Sequence, residues 1–271
     1  MSEIVRDVSY APGHGVRAMG DLHLATEPTG CPVLLIHGGG WNALSKESME
    51  PLAHLFAEQG RSTFNINYRL LSAAPWPACR DDCVMAGRFV LAGGLAEHGL
   101  SACDRVLVCG ASAGGHLAMM TGLGLPARHV EAIISLCGPS RIDFPDGSTA
   151  DEFRSDGWRS GFLGQRHPMS AADIAIVSPS LSVRVGAPEL FCIHSRNDRL
   201  VPPSHSVWAV EAWRAVGSRA ALFLFDGPGD SHGIWDSEYR PTRRPIDDVV
   251  VAIKTQLARL NGASSLQPQN V

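Results

Sequence analysis

The chain has 271 residues, of which 45% are hydrophobic and 18% are charged, and its formal net charge is −4 at pH 7. This composition is typical of a soluble globular protein, and the length suits one large α/β domain. The lysines and arginines are scattered, so no nucleic-acid partner is expected. No stretch approaches the roughly 20 apolar residues of a transmembrane helix, so no membrane partner is expected either.

The cysteine content predicts the redox environment. There are seven cysteines, an odd number, and several lie inside apolar runs such as VLVCG and IISLCG. This pattern favours reduced core thiols and a cytoplasmic location over a disulfide framework. The N-terminal MSEIVRDVSY is acidic and lacks an apolar run, so no signal peptide is expected. Cys79 and Cys83 are four residues apart, but no second pair follows at metal spacing, so we expect neither a metal nor a cofactor.

Apolar segments alternate with longer helical patterns along the chain. Residues 16–25 alternate loosely and predict an antiparallel edge strand. Continuous apolar segments predict buried strands at 32–37, 62–68, 105–110, 131–138, 189–195 and 221–227. The patterns between them predict helices at 48–59, 79–93, 113–124, 204–216 and 244–260. This alternation predicts an α/β fold with a doubly wound, mainly parallel sheet.

One long segment interrupts the alternation. Residues 139–187 mix proline, glycine and charges with four aromatic residues, which are Phe144, Phe153, Trp158 and Phe162. A connection of this length predicts a lid or a binding insertion, and the alternative is a surface excursion whose aromatics pack beneath it. We therefore predict a single domain over 1–260 that contains this insertion, followed by a flexible tail at 261–271.

The segment Gly110-Ala111-Ser112-Ala113-Gly114 has the pattern G-x-S-x-G. Alone it is a weak signal, because glycine and serine are common in turns. Here it lies between a predicted strand and a predicted helix, where glycines allow both elements to pack closely around a strained turn. This context predicts that Ser112 is a nucleophile at the carboxyl end of the sheet.

A serine nucleophile needs a histidine base and a carboxylate, and both follow in the chain. His232 lies after the strand predicted at 221–227, and it is favoured over three other histidines. His116 is interpreted as a packing or helix-surface residue, His194 as a satisfied core histidine, and His205 as a helix-start residue without a partner loop.

The predicted acid is Asp198, in the loop after the strand at 189–195. Asp230 is too close to His232 in sequence to orient it easily, and Asp226 is the stronger alternative. Asp198 is favoured because it follows the preceding strand and is itself followed by Val201-Pro202.

The oxyanion formed during acyl transfer needs preorganised N–H donors. The segment IHGGGWN at 36–42 follows a core strand and offers glycine amides, and Ala113 adds the N–H that follows the nucleophile. A flexible glycine-rich loop is the alternative interpretation. Phosphate-binding patterns such as G-x-x-x-x-G-K-[ST] are not present.

These motifs resemble the α/β-hydrolase superfamily, in particular the HGGG carboxylesterases of the hormone-sensitive-lipase-like, kynurenine-formamidase-like and feruloyl-esterase-like branches. The segments that carry the resemblance are HGGGW (37–41), NYRLLSAAPWPACRDD (67–82), GASAGGHLA (110–118), RNDRLVP (196–202) and DSHG (230–233). The resemblance implies a mainly parallel eight-stranded sheet with helices on both faces. It also implies a triad and three oxyanion donors, carried over as Ser112, Asp198, His232, Gly39, Gly40 and Ala113.

The chain departs from the hormone-sensitive-lipase-like pattern at the elbow, which usually reads G-D-S-A-G-G-N. Ala111 and His116 stand in place of the acidic and amide residues, and SRNDRLVP is more similar to the feruloyl-esterase and formamidase side. Tyr68 and Arg69 of NYRL are expected to be structural. Either Asp81 or Asp82 is expected to cap the following helix.

The function predicted from these residues is a serine esterase that cleaves small or aromatic carboxylic esters. An arylformamidase of the N-formylkynurenine type is the first alternative, and an acyl-transfer or cyclisation enzyme or a non-catalytic binding protein is the second. The partner is then a small-molecule ester or formamide, and a homodimer stays an alternative. Substrate contacts are predicted for Trp41, Trp158, Phe162, Val201 and Trp235.

Overall fold

The computed structural model describes residues 3–143, 170–227, 232–235 and 245–262. Its centre is a sheet of eight strands: β1 (Ile4–Ser9), β2 (Met19–His23), β3 (Val33–Ile36), β4 (Thr63–Ile66), β5 (Val106–Ala111), β6 (Val130–Leu136), β7 (Leu190–Ser195) and β8 (Ala220–Phe225). Their order is β1-β2-β4-β3-β5-β6-β7-β8. β1 and β2 run antiparallel to their neighbours, and β3 to β8 are mutually parallel. The predicted mainly parallel, eight-stranded sheet is confirmed.

The central strands are buried because they are apolar on both faces. Every residue of β3, β5 and β7 is buried. β1 was not predicted from the sequence, because it has one fully buried residue, Val8, and two exposed charged residues, Arg6 and Asp7. Its pairing with β2 shifts register between Val5 and Val8, and Asp7 within this bulge has φ +55°. An edge strand with a bulge does not show the apolar run by which the other strands were recognised.

Helices cover both faces of the sheet. They are α1 (Glu50–Glu58), α2 (Ala78–Leu91), α3 (Ala113–Gly124), α4 (Ala171–Val177), α5 (Pro179–Ser182), α6 (Ser204–Ala215) and α7 (Asp247–Leu260). One apolar core includes buried residues of α2, α3 and α6, and a second includes those of α1 and α7. In α7 the buried Val249, Ile253 and Leu257 recur every four residues and form one face. Burial of each such side chain contributes about 1.5–3 kcal/mol.

The end of the predicted insertion is helical. α4 begins with a capping box in which Ser170 and Asp173 bind each other's backbone N–H groups, and its last residue, Val177, is buried. The four insertion aromatics named above lie outside the described residues. The predicted tail also lies outside the described residues from residue 263 onward. The lid and the tail therefore stay predictions.

The expected helix cap at Asp81 or Asp82 is wrong. α2 begins at Ala78 with Pro77 as its N-cap residue, so both aspartates lie inside the helix. Asp81 pairs with Arg80 at the surface. The Asp82 carboxylate is buried, and it receives hydrogen bonds from the Arg69 side chain and backbone. Asp82 therefore connects α2 to the segment after β4 instead of capping the helix.

All seven cysteines lie in the described part of the chain, and each is a free thiol. Cys79 and Cys83 share the buried face of α2. Across the same described ranges, no helix is both long and apolar enough to cross a membrane.

Candidate active site

Ser112 lies at a sharp turn between β5 and α3. Its φ of +53° and ψ of −122° place a non-glycine residue in a strained region of backbone space. The elements pack so closely here that a Cβ atom on Gly114 would overlap the carbonyl oxygens of Ile36 and His37. The Ser112 N–H donates to the carbonyl of Leu136 at 2.8 Å, which fixes the turn against β6. The predicted strand-to-helix elbow is present.

The structure brings Ser112, His232 and Asp198 together although they are distant in sequence. Nε2 of His232 lies 2.8 Å from Oγ of Ser112, and Nδ1 of His232 lies 2.7 Å from Oδ2 of Asp198. A carboxylate only accepts hydrogen bonds, so we assign the imidazole proton to Nδ1 and leave Nε2 to accept from the serine hydroxyl. This tautomer is the one in which an imidazole can take the serine proton.

The Asp198 carboxylate is held in place and kept charged by its neighbours. Its Oδ1 accepts from the N–H groups of Leu200 and Val201 at 3.0 and 2.9 Å. Burial by itself would raise the pKa of this carboxyl, but hydrogen bonds from His194 and His232 outweigh burial and hold the pKa well below its usual range. Asp198 therefore presents a full negative charge to His232.

The alternative acid and bases lie elsewhere or have other partners. Asp226 is exposed and faces Arg196 at 3.7 Å. The ring of His205 accepts from the N–H of Ser140 at 3.1 Å. His116 is fully buried in α3, which agrees with its interpretation as a packing residue. Asp230 lies outside the described residues.

The HGGG loop lies beside Ser112. A Cβ atom on Gly38 would be 3.2 Å from Cβ of Ser112. Gly39 and Gly40 have φ of +98° and +57°, conformations that glycine adopts at little cost. Within the described ranges, the N–H groups of Gly39, Gly40 and Ala113 make no hydrogen bond. N–H groups without such a bond beside a nucleophile can donate hydrogen bonds to a developing oxyanion.

Tyr68 packs against the HGGG loop and forms hydrogen bonds with it. Its hydroxyl donates to the carbonyl oxygens of His37 and Gly38, both at 3.2 Å, and its ring stacks on the His37 imidazole with centroids 4.2 Å apart. Burial raises the pKa of Tyr68 well above its usual value, so the hydroxyl stays a donor. Tyr68 was expected from the sequence to be structural, but its contact with the loop depends on the strand order and could not be predicted from residue spacing.

Cys137 is a residue of the site that the sequence analysis missed. Its Sγ lies close to the side-chain atoms of Asp198 and His232, and together they are the one group within the described ranges with the spacing of metal ligands. Both nitrogens of His232 already bind Asp198 and Ser112. Burial raises the pKa of Cys137 well above its usual value, and its thiol donates to the carbonyl of His232 at 3.4 Å. These contacts explain the cluster as a hydrogen-bonded network.

Two of the predicted substrate contacts are corrected by the structure. The Trp41 and Val201 side chains are each only 1% exposed. The Trp41 indole N–H donates to Nδ1 of His116, and the Val201 N–H belongs to the loop that holds Asp198. Both side chains are therefore packed beneath the surface of the site, and neither lines a surface open to substrate.

Trp235 lies at the site as predicted. Its ring makes an edge-to-face contact with His232 at 5.4 Å and is 5% exposed. A substrate contact of Trp235 stays a prediction. Trp158 and Phe162 lie outside the described residues.

A cleft of about 880 Å³ lies at the other end of α3 from Ser112. It is lined by α2, the C-terminal part of α3 and residues 175–188. None of Ser112, Asp198 and His232 lines it. This cleft is therefore separate from the space in which Ser112 would meet a substrate.

The sequence profile of the BD-FAE family matches residues 21–212. The chain belongs to the BD-FAE family. The match includes the HGGG loop, the elbow and Asp198, whereas His232 lies beyond its end.

Individual relatives agree with this assignment to the BD-FAE family. Esterase LipC of Mycobacterium tuberculosis is 30% identical over 231 residues, which are 78% of this chain and 54% of LipC. The chain thus spans about half the length of that relative. A truncated carbohydrate esterase from gut microbiota superposes with a TM-score of 0.79 at 20% identity, covering 96% of this chain and 97% of that one.

A third similar protein is MGS-M1, an alpha/beta hydrolase enzyme from a deep-sea metagenome library. It superposes with a TM-score of 0.68 at 19% identity, covering 96% of this chain and 98% of that one. These structural similarities show that the BD-FAE family chain has the α/β-hydrolase fold.

Proposed function

We propose that this BD-FAE family protein is a serine hydrolase that cleaves carboxylic esters through an acyl-enzyme. The observation that carries the proposal is the hydrogen-bonded series Ser112–His232–Asp198, with contacts of 2.8 and 2.7 Å, beside the glycine-rich HGGG loop. The same three side chains in this arrangement activate a serine on unrelated folds.

In the first half of the reaction, Oγ of Ser112 attacks the ester carbonyl carbon while its proton passes to Nε2 of His232. The carbonyl oxygen becomes an oxyanion and accepts hydrogen bonds from Gly39, Gly40 and Ala113. Asp198 stabilises the imidazolium. The alkoxy group then leaves as an alcohol with the proton from His232, and the acyl group remains on Ser112.

In the second half, His232 takes a proton from a water molecule that attacks the acyl carbon. The same N–H groups donate hydrogen bonds to the second oxyanion. Collapse of this intermediate returns the proton from His232 to Ser112 and releases the carboxylic acid. The N-terminus of α3 lies at Ser112, so its positive end also favours the negative charge.

The names of the related proteins support an ester as the substrate. LipC is named an esterase and the gut-microbiota protein a carbohydrate esterase. The formamidase alternative depended on an aromatic pocket that included Trp41, and burial of Trp41 removes one of its supports. Ester hydrolysis is therefore the function that the site supports best.

The test is hydrolysis of p-nitrophenyl esters of graded acyl length, with an aromatic formamide in the same panel. We expect ester turnover by the wild-type protein and a loss of about 10⁶-fold in kcat in Ser112→Ala, as in comparable triads. Ser101→Ala, at an exposed serine, is the matched control and should retain activity. Equal activity of the wild-type and Ser112→Ala proteins would overturn the proposal.

A further inference from the structure

The Asp198 carboxylate faces a second histidine besides His232. Its Oδ2 atom lies 2.7 Å from Nδ1 of His232 and 3.3 Å from Nε2 of His194. His194 is on β7 and is completely buried. The two imidazoles therefore contact the same oxygen from different elements of the fold.

His194 is fixed at both ring nitrogens. Nε2 lies 2.8 Å from the carbonyl oxygen of Val201, and Nδ1 lies 2.7 Å from Oγ of Ser206 on α6. A backbone carbonyl and a carboxylate only accept hydrogen bonds, so the Nε2 proton is shared between Val201 and Asp198. The ring therefore directs one N–H between the backbone of the acid loop and the acid itself.

We propose that His194 is a positioning residue for Asp198, and that its Nε2–H sets the orientation and charge of the carboxylate that His232 uses. This inference rests on the proposed function, because it assigns a role to His194 through the Ser112–His232–Asp198 series. It adds a role to the interpretation of His194 as a satisfied core histidine, which agrees with its burial and with the hydrogen bonds at both ring nitrogens.

Two histidines are the ionisable side chains that contact Oδ2 of Asp198. Among the described residues, the titratable groups that face it are His194 from β7, His232 from the segment after β8 and Cys137 from the segment after β6. The Cys137 thiol stays protonated because burial raises its pKa. The low pKa of Asp198, despite the opposing effect of burial, is consistent with donation from both imidazoles.

Removal of the His194 donor should change both the geometry and the charge of the site. The carboxylate keeps the N–H donors of Leu200 and Val201 on Oδ1, but in the described part of the chain His232 is then the remaining donor to Oδ2. The carboxylate loses one donor that stabilises its negative charge, so it interacts more strongly with the protonated base. The acidic limb of the kcat/KM profile should therefore move to higher pH, while a less fixed carboxylate lowers kcat.

Two variants at position 194 distinguish the effect of losing the Nε2–H donor from the effect of changed packing. In His194→Gln the side-chain amide nitrogen reaches the place of Nε2 and keeps a donor toward Asp198. In His194→Asn the shorter side chain keeps a group near Nδ1 for Ser206 and loses that donor. Ser206→Ala removes the hydrogen-bond partner of Nδ1, so the imidazole loses a contact that holds its Nε2–H toward Asp198.

The experiment compares kcat, KM and the pH profile of these variants with p-nitrophenyl acetate. We expect His194→Asn to lose about ten- to a hundredfold in kcat with KM little changed. Its acidic limb should rise by up to about one pH unit, and His194→Gln should restore most of both. Equal losses in the two variants, or a wild-type pH profile in His194→Asn, would overturn the proposal.

If neither variant folds, Ser206→Ala decides the question. A severalfold lower kcat with a displaced acidic limb supports the proposal, and a wild-type profile overturns it. Wild-type turnover and its loss in Ser112→Ala test the proposed function separately. If the wild-type protein hydrolyses none of the panel, NMR titration of the His232 ring in His194→Asn and His194→Gln still tests the influence of His194, because that readout needs no turnover.

Discussion

The indole N–H of Trp41 donates to Nδ1 of His116 at 3.0 Å, and Nε2 of the same imidazole lies 2.7 Å from the carbonyl oxygen of Val177. Trp41 ends the HGGG loop, His116 lies one turn into α3, and Val177 is the last residue of α4. A single buried imidazole therefore connects the loop beside Ser112 to α4, a helix near the end of the predicted insertion.

Loss of this indole donor should affect activity as well as stability. In Trp41→Phe, Nδ1 of His116 loses its bond to the indole, and the loop loses a connection to α3. We expect the free energy of unfolding to fall by about 1–3 kcal/mol and kcat to fall severalfold. Urea denaturation and ester turnover measure these effects.

Trp213→Phe is the matched control for Trp41→Phe. Trp213 is also fully buried, and its indole N–H donates to the carbonyl of Pro188 at 2.9 Å. The control should lose similar stability and keep its kcat. A kcat of Trp41→Phe equal to that of the control would contradict the role of the loop contact.

The hydroxyl of Tyr68 should matter for the rate, since it binds the carbonyls of His37 and Gly38. Tyr68→Phe removes this donor and should cost about 1 kcal/mol of stability and roughly tenfold in kcat. Tyr10→Phe offers a comparison, because Tyr10 is also buried and its hydroxyl donates to Asn67. Steady-state kinetics should show a loss of kcat in Tyr68→Phe alone, and an equal loss in both variants would refute this prediction.

The buried histidines predict a pH dependence of stability. Burial lowers the pKa of His116 from 6.5 to about 4 and that of His37 to about 3. Between about pH 6.5 and pH 4 the unfolded chain therefore binds more protons than the folded protein, so stability decreases as the pH falls. Each group should contribute on the order of 3 kcal/mol of destabilisation by pH 4.

Denaturation midpoints at several pH values between 7 and 4 measure this effect. His116→Asn should show a shallower dependence on pH than the wild-type protein, while His98→Asn, at a partly exposed site, should not. The low pKa of Asp198 adds acid sensitivity only below the usual range of an aspartate, so it acts outside this window. If the free energy of unfolding of His116→Asn depended on pH as steeply as that of the wild-type protein, the His116 imidazole would not be the source of the loss of stability in acid.

The Asp82 carboxylate should contribute to stability far more than its neighbour. Asp82→Asn leaves the Arg69 guanidinium without its ion-pair partner and should cost about 3 kcal/mol. Asp81→Asn disrupts an exposed pair with Arg80 and should change stability by less than about 1 kcal/mol. Urea denaturation distinguishes the two, and equal effects would argue against a structural role of Asp82.

Much of the fold follows from local sequence properties. The strands β3 to β8 are apolar segments between helical patterns, and the elbow at Ser112 is defined by glycines that close packing requires. β1 was missed because a bulged edge strand has no continuous apolar run. The cap assigned to Asp81 or Asp82 was wrong because the helix begins earlier, at Ala78.

Parts of the site depend on contacts that no local pattern reveals. Trp41 was expected to line the substrate site because it follows the HGGG loop, but its indole turns to His116. His194 has the sequence context of a core residue, and its approach to Asp198 depends on the turn of the acid loop after β7. Such contacts are determined by tertiary packing, so the sequence identified the candidate nucleophile, base and acid but not the residues that position them.

Reaction of the folded protein with a fluorophosphonate, followed by intact mass and peptide mapping, tests the central claim most directly. A serine activated by His232 should form one adduct, and the modified peptide should contain Ser112. Ser112→Ala should remain unlabelled under the same conditions, and Ser101→Ala should label like the wild-type protein. Absence of an adduct on folded wild-type protein, or an adduct that persists in Ser112→Ala, would contradict the assignment of Ser112 as the nucleophile.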